Sequence, residues 1–596
     1  MSEKWDYEAD VVVIGSGATG MPAAIRARDH GASVIVVEAN YDIGGHAILS
    51  GGNVPLGGGT SAQKKYGIAD SPDLVFQDLT DWSIVETNGM PEYRYNDRAV
   101  QRAFADNSAP TYEFLVANGV KFNDTPPDVL GGHAIGLSAP RENHTIPGPK
   151  QGFESPMGKN GAMLIRPLEA SARAKGVRFL LNYHMDSIVR ETPTSGRILG
   201  IKARYTPTIL PGTSTPLKSF ASQGNIDTTE ASVSIKATKA VIIATGGSSS
   251  NVNFRRMFDP RLTEEFQVGG EPYSHQDASG EIAAMAVGAS LWGTANQAFE
   301  RNGAIRKRGR LGAQYTYSSF GPDSPIFSLC RAVGLRLDDW RHIICVNQVG
   351  KRFYDETGGN WPTGTRWGNM DPYVPGSYLN AKNTTYKTSV WSDVGETMNE
   401  DSDAPDFTED LPYRDSNWID AALAMNEGST APDFGAGPTW AIFDADTVKR
   451  LGWVLGPPHT DPEYFFSGDT IAQLARNIKG PYQKIPMNAA NLEATVARYN
   501  TLVDKGADLD FEKPGPMYKI QTPPFYAAWA SPVVHDSYAG LRINMQCQVL
   551  DLNGEVIPGL YCGGESAGGC SQHGLGRCVT QGYIAGKHAA GRKARD

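Results

Sequence analysis

The chain has 596 residues, with 55 Lys+Arg against 65 Asp+Glu for a formal net charge of −10, 40% hydrophobic residues and 66 glycines. That length leaves room for more than one domain with its own apolar core, and an acidic balance without a Lys/Arg stripe excludes nucleic acid as the expected partner. No apolar run approaches the ~18 to 20 residues that cross a bilayer, and the acidic start Met1 to Asp10 has no basic segment leading into a signal-type apolar stretch, so the expected location is cytoplasmic.

In chain order, Val11-Val12-Val13-Ile14 runs into Gly15-Ser16-Gly17-Ala18-Thr19-Gly20, then the small-residue stretch Met21 to Arg28 and a second apolar run, Ala32 to Glu38. Strand, glycine turn, helix and strand within about 30 residues is the context that a dinucleotide fingerprint requires. Gly15 permits the tight turn. Gly17, with Ala18 and Thr19, lets backbone approach a pyrophosphate at a helix start, and Gly20 lets helix and strand pack closely. Glu38, followed by Ala39, ends the second strand where a carboxylate takes ribose hydroxyls, which favours an unphosphorylated adenosine ribose. Gly44-Gly45-His46 and Ser50-Gly51-Gly52 follow, and glycines there leave room for something flat.

Residues 161–205 return to alternating units: a helix over 161–176, then strands over 177–181, 184–190 and 198–205. Thr206 to Glu230, rich in Pro, Thr and Ser, reads as a surface excursion. Lys239 to Gly247 reads as a buried strand, with Ala244, Thr245 and Gly246 at its glycine-rich end. From 291 to 521 the texture changes to many Trp and Tyr and an irregular stretch over 357–438, too long for a simple connection. After that stretch, Leu492, Val496 and Tyr499 stand at helical spacing. The alternating texture resumes over 539–551 and 556–564, and a closing helix is expected over 577–592. The expected domains are therefore a first segment over 1–290, a cap over 291–521 and a second segment over 522–596. Six cysteines without a CxxC pair suggest neither a disulfide framework nor a metal clip, so buried thiols and no metal are expected.

These motifs carry a resemblance. Val11 to Gly20 with Glu38, Gly44-Gly45 with Ser50-Gly51-Gly52, Ala244 to Gly247, Gly350-Lys351-Arg352-Phe353-Tyr354-Asp355-Glu356, Pro524-Phe525-Tyr526-Ala527 and Gly559 to Glu565 recur in this order in one group. The chain resembles, over nearly its whole length, the fumarate reductase/succinate dehydrogenase flavoprotein superfamily, within it the branch of 3-ketosteroid dehydrogenases. The resemblance implies an α/β fold: a Rossmann-like FAD-binding domain built from two sequence segments, with an inserted α+β catalytic cap. It implies FAD, approached by Gly44-Gly45 near the flavin and by Gly564-Glu565 near the pyrophosphate, and a turn at Gly540 under the flavin. It further implies hydride exchange between the flavin and a C–C bond beside a carbonyl or carboxylate.

The chain is a hybrid of the two family patterns. The spacing from Gly44 to Gly51 resembles the ketosteroid type, whereas Pro532 to Leu541 resembles the fumarate type, with His535 at the place of its substrate histidine. The loop Cys570 to Arg577 is shorter than in either, leaving His573 and Arg577 as polar candidates. Tyr526, Tyr538 and Arg341, with Arg336 near it, complete the candidate catalytic set. Tyr526 is at least as well read as aromatic core. His46 raises covalent attachment as the alternative to non-covalent FAD. Tyr315, Tyr317, Trp340, Arg341, Trp361 and Trp367 are candidates for lining an apolar pocket.

The activity this implies is desaturation of a ketone or ketosteroid-like apolar substrate, or reduction of the matching enone. Hydrogen bonds from His535, His573 or backbone would steady the carbonyl oxygen, while a cap tyrosine or arginine moves the α proton. Expected partners are a small apolar carbonyl compound and an external electron carrier, quinone, oxygen or nicotinamide, since no CxxCH haem segment is present. Alternatives are fumarate-type reduction of an unsaturated carboxylate, a flavin oxidase, and a non-redox protein with structural FAD.

Overall fold

The computed structural model describes residues 4–80, 97–128, 138–148, 155, 159–258, 262–292, 305–306, 309–315, 320–353, 355–356, 437–511, 513–534, 537, 539–570, 572 and 574–593. The chain divides into two compact units, one of Met1–Phe254, Pro272–Gly303 and Asp536–Asp596, the other of Arg255–Glu271 and Ala304–His535.

The first unit is built on an eight-stranded sheet. Tyr7–Ile14, Val34–Glu38 and Arg178–Leu181 run parallel on one side of the centre, while Ser232–Ile243 and Val556–Cys562 run parallel to them on the other. Every residue of Val34–Glu38 is buried, as a parallel strand covered on both faces requires. The antiparallel pair Tyr183–Arg190 and Ile198–Tyr205 joins the early half of Ser232–Ile243. Two helices pack tightly through glycine: a Cβ on Gly582 or Gly586 of the closing helix would lie 2.2 Å from the Thr19 oxygen or 2.3 Å from the Ala23 oxygen of the helix Gly20–Asp29. The closing helix runs Gly574–Ala590, three residues earlier at its start than the expected 577–592.

The 206–230 excursion is not a free loop. Phe179, in the outermost strand, donates to the Gly224 carbonyl at 3.0 Å and accepts from Ile226 N–H at 2.7 Å, so the excursion covers an open sheet edge. It is tied down by Ser219 Oγ donating to Asp42 at 2.9 Å and by Arg173 donating to Asn225 at 2.8 Å.

The second unit contains a four-stranded antiparallel sheet in the order Ile344–Val346, Trp440–Asp444, Phe525–Trp529, Phe465–Gly468. Alternate side chains point to opposite faces of a strand. Accordingly Trp440 and Ile442 join one apolar cluster with Trp529 and Leu492, while Ala441 and Phe443 join another with Leu335 and Trp340. The helix Ala489–Lys505 buries Leu492, Val496 and Tyr499, as their spacing predicts, and is capped by Asn488. Beneath it Arg352 pairs with Glu356 at 2.7 Å and with Asp508 at 2.6 Å, and Lys513 with Glu356 at 3.1 Å.

These pairings differ from the sequence boundaries. Phe525–Trp529 belongs to the second unit's sheet, so the chain returns to the first unit at Asp536 and not at 522. Leu291–Trp292 pairs with Gly540–Leu541 inside the first unit, and Arg255–Glu271 is a short detour into the second. Backbone pairing decides membership, and a change of residue texture does not report it. The irregular stretch over 357–438 lies outside the described residues except for Gly437 and Pro438.

Candidate functional site

Five parallel strands end along one edge of the first unit's sheet, at Ile14, Glu38, Leu181, Ile243 and Cys562. In open α/β sheets this carboxyl edge is where ligands bind. Gly15 follows the first strand with φ +94° and donates to the Val37 carbonyl at 2.7 Å. A Cβ there would lie 2.3 Å from the Ala244 oxygen, and one on Gly20 would lie 1.9 Å from the Gly15 oxygen. Packing therefore requires both glycines.

Other glycines front open space. A Cβ on Gly17 would meet only the Gly44 oxygen at 3.7 Å. On Gly45 its nearest contact is 3.7 Å, on Gly51 3.6 Å and on Gly246 3.7 Å. The helix Gly20–Asp29 begins here with no acid in its first turn, and Thr19 makes no side-chain cap among the described residues. Its first amides and positive dipole end are thus presented to an anion. A flat, phosphate-bearing group fits this cradle.

Glu38 is buried, with Oε2 accepting from Ser16 N–H at 2.9 Å and Ser16 Oγ–H at 2.6 Å, and Oε1 accepting from Asn40 N–H at 2.8 Å. Burial pushes its pKa up, against the pull of those donors. Three donors on a carboxylate with about four acceptor positions leave one for a hydroxyl. Ser16 Oγ in turn accepts from Gly44 N–H at 3.0 Å, which ties the fingerprint turn to the Gly44-Gly45 segment. Ala39 is exposed, and His46 sits part-exposed in the 3-10 turn Gly45–Leu49. Ser50 Oγ accepts from Gly52 N–H at 3.2 Å.

Across the edge, Thr245 Oγ1 and Ser566 Oγ are 2.9 Å apart. Gln276 Nε2 donates to the Gly246 oxygen and to Glu565 Oε2, both at 2.9 Å. Gly564 N–H donates to Gln581 Oε1 at 2.8 Å, and a Cβ on Gly540 would lie 2.3 Å from the Ser566 oxygen. Glu281, in the first turn of the helix Ser279–Ala286, is buried, and burial pushes its pKa up to about 8. Neither of its oxygens has a hydrogen-bond partner of ordinary geometry among the described residues. Ser16, Gln276 and Glu281 escaped the sequence reading. Ser16 lies inside the fingerprint, but only folding turns its hydroxyl onto Glu38.

Of the candidate catalytic residues, Arg341, Tyr526 and Arg577 are described, and each is engaged by its own neighbours. His535, Tyr538 and His573 lie outside the described residues, as do Tyr317, Trp361 and Trp367. Arg341 is held by Asp339 at 2.8 Å and donates to the Gly515 oxygen at 3.1 Å; its bond to Asp339 raises its pKa. Arg336 pairs with Asp338 at 2.9 Å. Tyr526 stacks on Phe443 and Phe465, with centroids 5.5 and 5.6 Å away, so its ring does packing work, and Trp340 is core. Arg577 is fully buried and donates to the Cys570 and Ser537 carbonyls at 3.4 and 3.0 Å. All six cysteines are buried free thiols; burial pushes Cys570 up to about 11. No metal-holding cluster occurs among the described residues, and no described helix is long and apolar enough to cross a membrane.

Comparison with known proteins agrees with this geometry. The chain is 25% identical over 594 residues to urocanate reductase of Eggerthella lenta, covering 98% of this chain and 75% of that protein. It is 23% identical over 595 residues to vinyl phenol reductase of Lactiplantibacillus plantarum, covering 98% and 96%. Its fold is similar to the open conformation of a flavocytochrome c3 fumarate reductase, with TM-score 0.58, 21% identity and coverage of 98% and 78%. It is also similar to 3-ketosteroid delta1-dehydrogenase from Sterolibacterium denitrificans, with TM-score 0.57, 19% identity and coverage of 98% and 99%. A family model described as an FAD binding domain matches residues 10–292 and 343–577. The chain belongs to that FAD binding domain family, and FAD is its cofactor.

Proposed function

We propose that this flavoprotein is an oxidoreductase that reduces a C=C bond conjugated to a carbonyl, carboxylate or aromatic ring. The observation that carries the reading is similarity along 98% of the chain to proteins named as reductases of urocanate, fumarate and vinyl phenol. Those three compounds share a conjugated C=C bond. Bound FAD supplies two-electron hydride chemistry; the protein binds, orients and moves the proton.

In this reading the amides of Gly17, Ala18 and Thr19 hold the pyrophosphate, Glu38 accepts a ribose hydroxyl, and Gly45, Gly51 and Gly246 give the flavin room. Arg341 and Tyr526 are engaged in an ion pair and in ring stacking. Proton transfer and oxygen binding are therefore assigned to His535, His573 or Tyr538, whose side chains can donate to a developing enolate. Electrons arrive from an external carrier. Desaturation of a ketone is the second reading, favoured by the ketosteroid-type spacing from Gly44 to Gly51.

The test is anaerobic: protein reduced with viologen is titrated with urocanate, fumarate, a hydroxystyrene and a panel of enones including ketosteroids. Reoxidation of the flavin by one class, with the saturated product formed, supports the reading and names the substrate. Bleaching of oxidised protein by a saturated ketone would favour the second reading, and no spectral response in either direction would overturn both.

A further inference from the structure

Ser537 is where separate stretches of the first unit meet. It is fully buried, and its N–H donates to Glu565 Oε2 at 3.3 Å. Its Oγ accepts from Ser248 N–H at 3.0 Å and lies 3.3 Å from Ser249 Oγ. Its carbonyl accepts from Arg577 Nη2 at 3.0 Å. A Cβ on Gly247 would come within 2.7 Å of Ser537 Oγ, so Ser537 touches the glycine-rich strand end directly. Arg577 reaches a second loop through Nη1, which donates to the Cys570 carbonyl at 3.4 Å. The helix that carries it is itself fixed by Gly582 and Gly586 against the backbone of Thr19 and Ala23.

A buried guanidinium leaves a large deficit wherever its donors or their acceptors lose partners. Here two of those acceptors are backbone carbonyls of different loops. Such a fork fixes loop backbone, whereas recruitment of a ligand carboxylate would leave it directed at an opening.

We propose that Arg577 is a positioning residue: from one rigid helix it holds the Ser537 and Cys570 carbonyls, and so ties the backbone at 570 to that at 537, which lies against the Gly247–Ser249 edge of the nucleotide cradle. The consequence for turnover rests on the oxidoreductase reading above, while the brace itself rests on the contacts. Orientation is the quantity at stake, and a misplacement of about 1 Å costs roughly a hundredfold in rate.

The experiment compares Arg577→Met and Arg577→Lys with the unsubstituted protein by hydrogen-exchange mass spectrometry, with and without FAD, and by steady-state kinetics on the substrate found in the titration above. Arg577→Met is expected to speed exchange in peptides spanning 536–541 and 568–573 while those spanning 7–14 and 34–38 keep their protection. It is expected to lower kcat about ten- to a hundredfold with KM within about threefold. Arg577→Lys should recover part of both effects, because an ammonium donates to the same carbonyls, and it carries the test if the Met variant does not fold. Unchanged exchange in both segments would overturn the proposal, as would a raised KM for a carboxylate substrate at constant kcat, which marks direct substrate contact. If the unsubstituted protein turns over nothing, the oxidoreductase reading fails, and the exchange experiment alone decides the brace.

Discussion

Two kinds of glycine stand side by side at the carboxyl edge of the first sheet, and they separate packing from binding. At Gly582 an added methyl meets the Thr19 carbonyl oxygen at 2.2 Å, and backbone in a packed helix pair yields little. Gly582→Ala should therefore cost about 1 to 3 kcal/mol, read as a lower denaturant midpoint of the apoprotein. At Gly17 the methyl meets only one atom, at 3.7 Å. Gly17→Ala should leave apoprotein stability within about 0.5 kcal/mol yet weaken FAD binding by about tenfold or more, measured by fluorescence titration. Equal losses of stability in the two variants would contradict the distinction. Glu281 offers a pH signature at the same edge. Burial raises its pKa from 4.5 to about 8. The native state keeps that proton where the unfolded chain has released it. Its contribution is thus complete below about pH 4.5 and declines as pH rises towards 8, by at most ~1.4 kcal/mol per pH unit. Glu281→Gln should abolish that slope in unfolding curves taken from pH 5 to 8, and an unchanged slope would place the titration elsewhere.

At the scale of elements, the motif from Gly350 to Glu356 proves to be architecture. Arg352 and Lys513 hold buried Glu356, whose pKa their charges lower to about 2 against the cost of desolvation. The sign is the reverse of Glu281: this stability is present above about pH 4.5 and is lost as pH falls towards 2. Arg352→Met removes the guanidinium that Glu356 and Asp508 share, leaves Glu356 to Lys513, and should cost roughly 3 to 5 kcal/mol, seen in denaturant unfolding, with a smaller acid-side decline because Glu356 then titrates nearer its unfolded value. What was legible in the sequence follows the range of the forces involved. The fingerprint, the strand 239–243 and the helix Ala489–Lys505 were legible because their determinants lie within one or two turns of chain. The unit to which Phe525–Trp529 belongs was not, because its pairing with Trp440–Asp444 is chosen by residues about 80 positions away. The same holds for the excursion that covers the edge strand. In the site, Glu38 was legible from its place at a strand end, but the Ser537–Arg577 contact joins residues 40 positions apart, and no local pattern announces it.

For the whole molecule, cofactor and fold are linked thermodynamically. The cradle is assembled from segments as distant as Gly15 and Glu565, and an unfolded chain holds neither its turn geometry nor its aligned amides. FAD therefore binds the native state alone and must stabilise it by RT ln(1 + [FAD]/Kd), about 2.7 kcal/mol at a hundredfold excess over Kd. Above Kd, each tenfold increase in FAD adds ~1.4 kcal/mol, so the thermal midpoint of the apoprotein should climb steadily with the logarithm of FAD concentration. Glu38→Ala removes the proposed ribose acceptor while vacating the acceptors of Ser16 and Asn40. It should shift this line to higher FAD concentration without changing its slope, because one molecule still binds per chain. AMP should give a parallel line through the same residues, displaced further for want of the flavin. A midpoint that ignores FAD in the unsubstituted protein would mean that the cradle is not where the cofactor binds, and a line altered in slope by Glu38→Ala would mean that more than one site contributes.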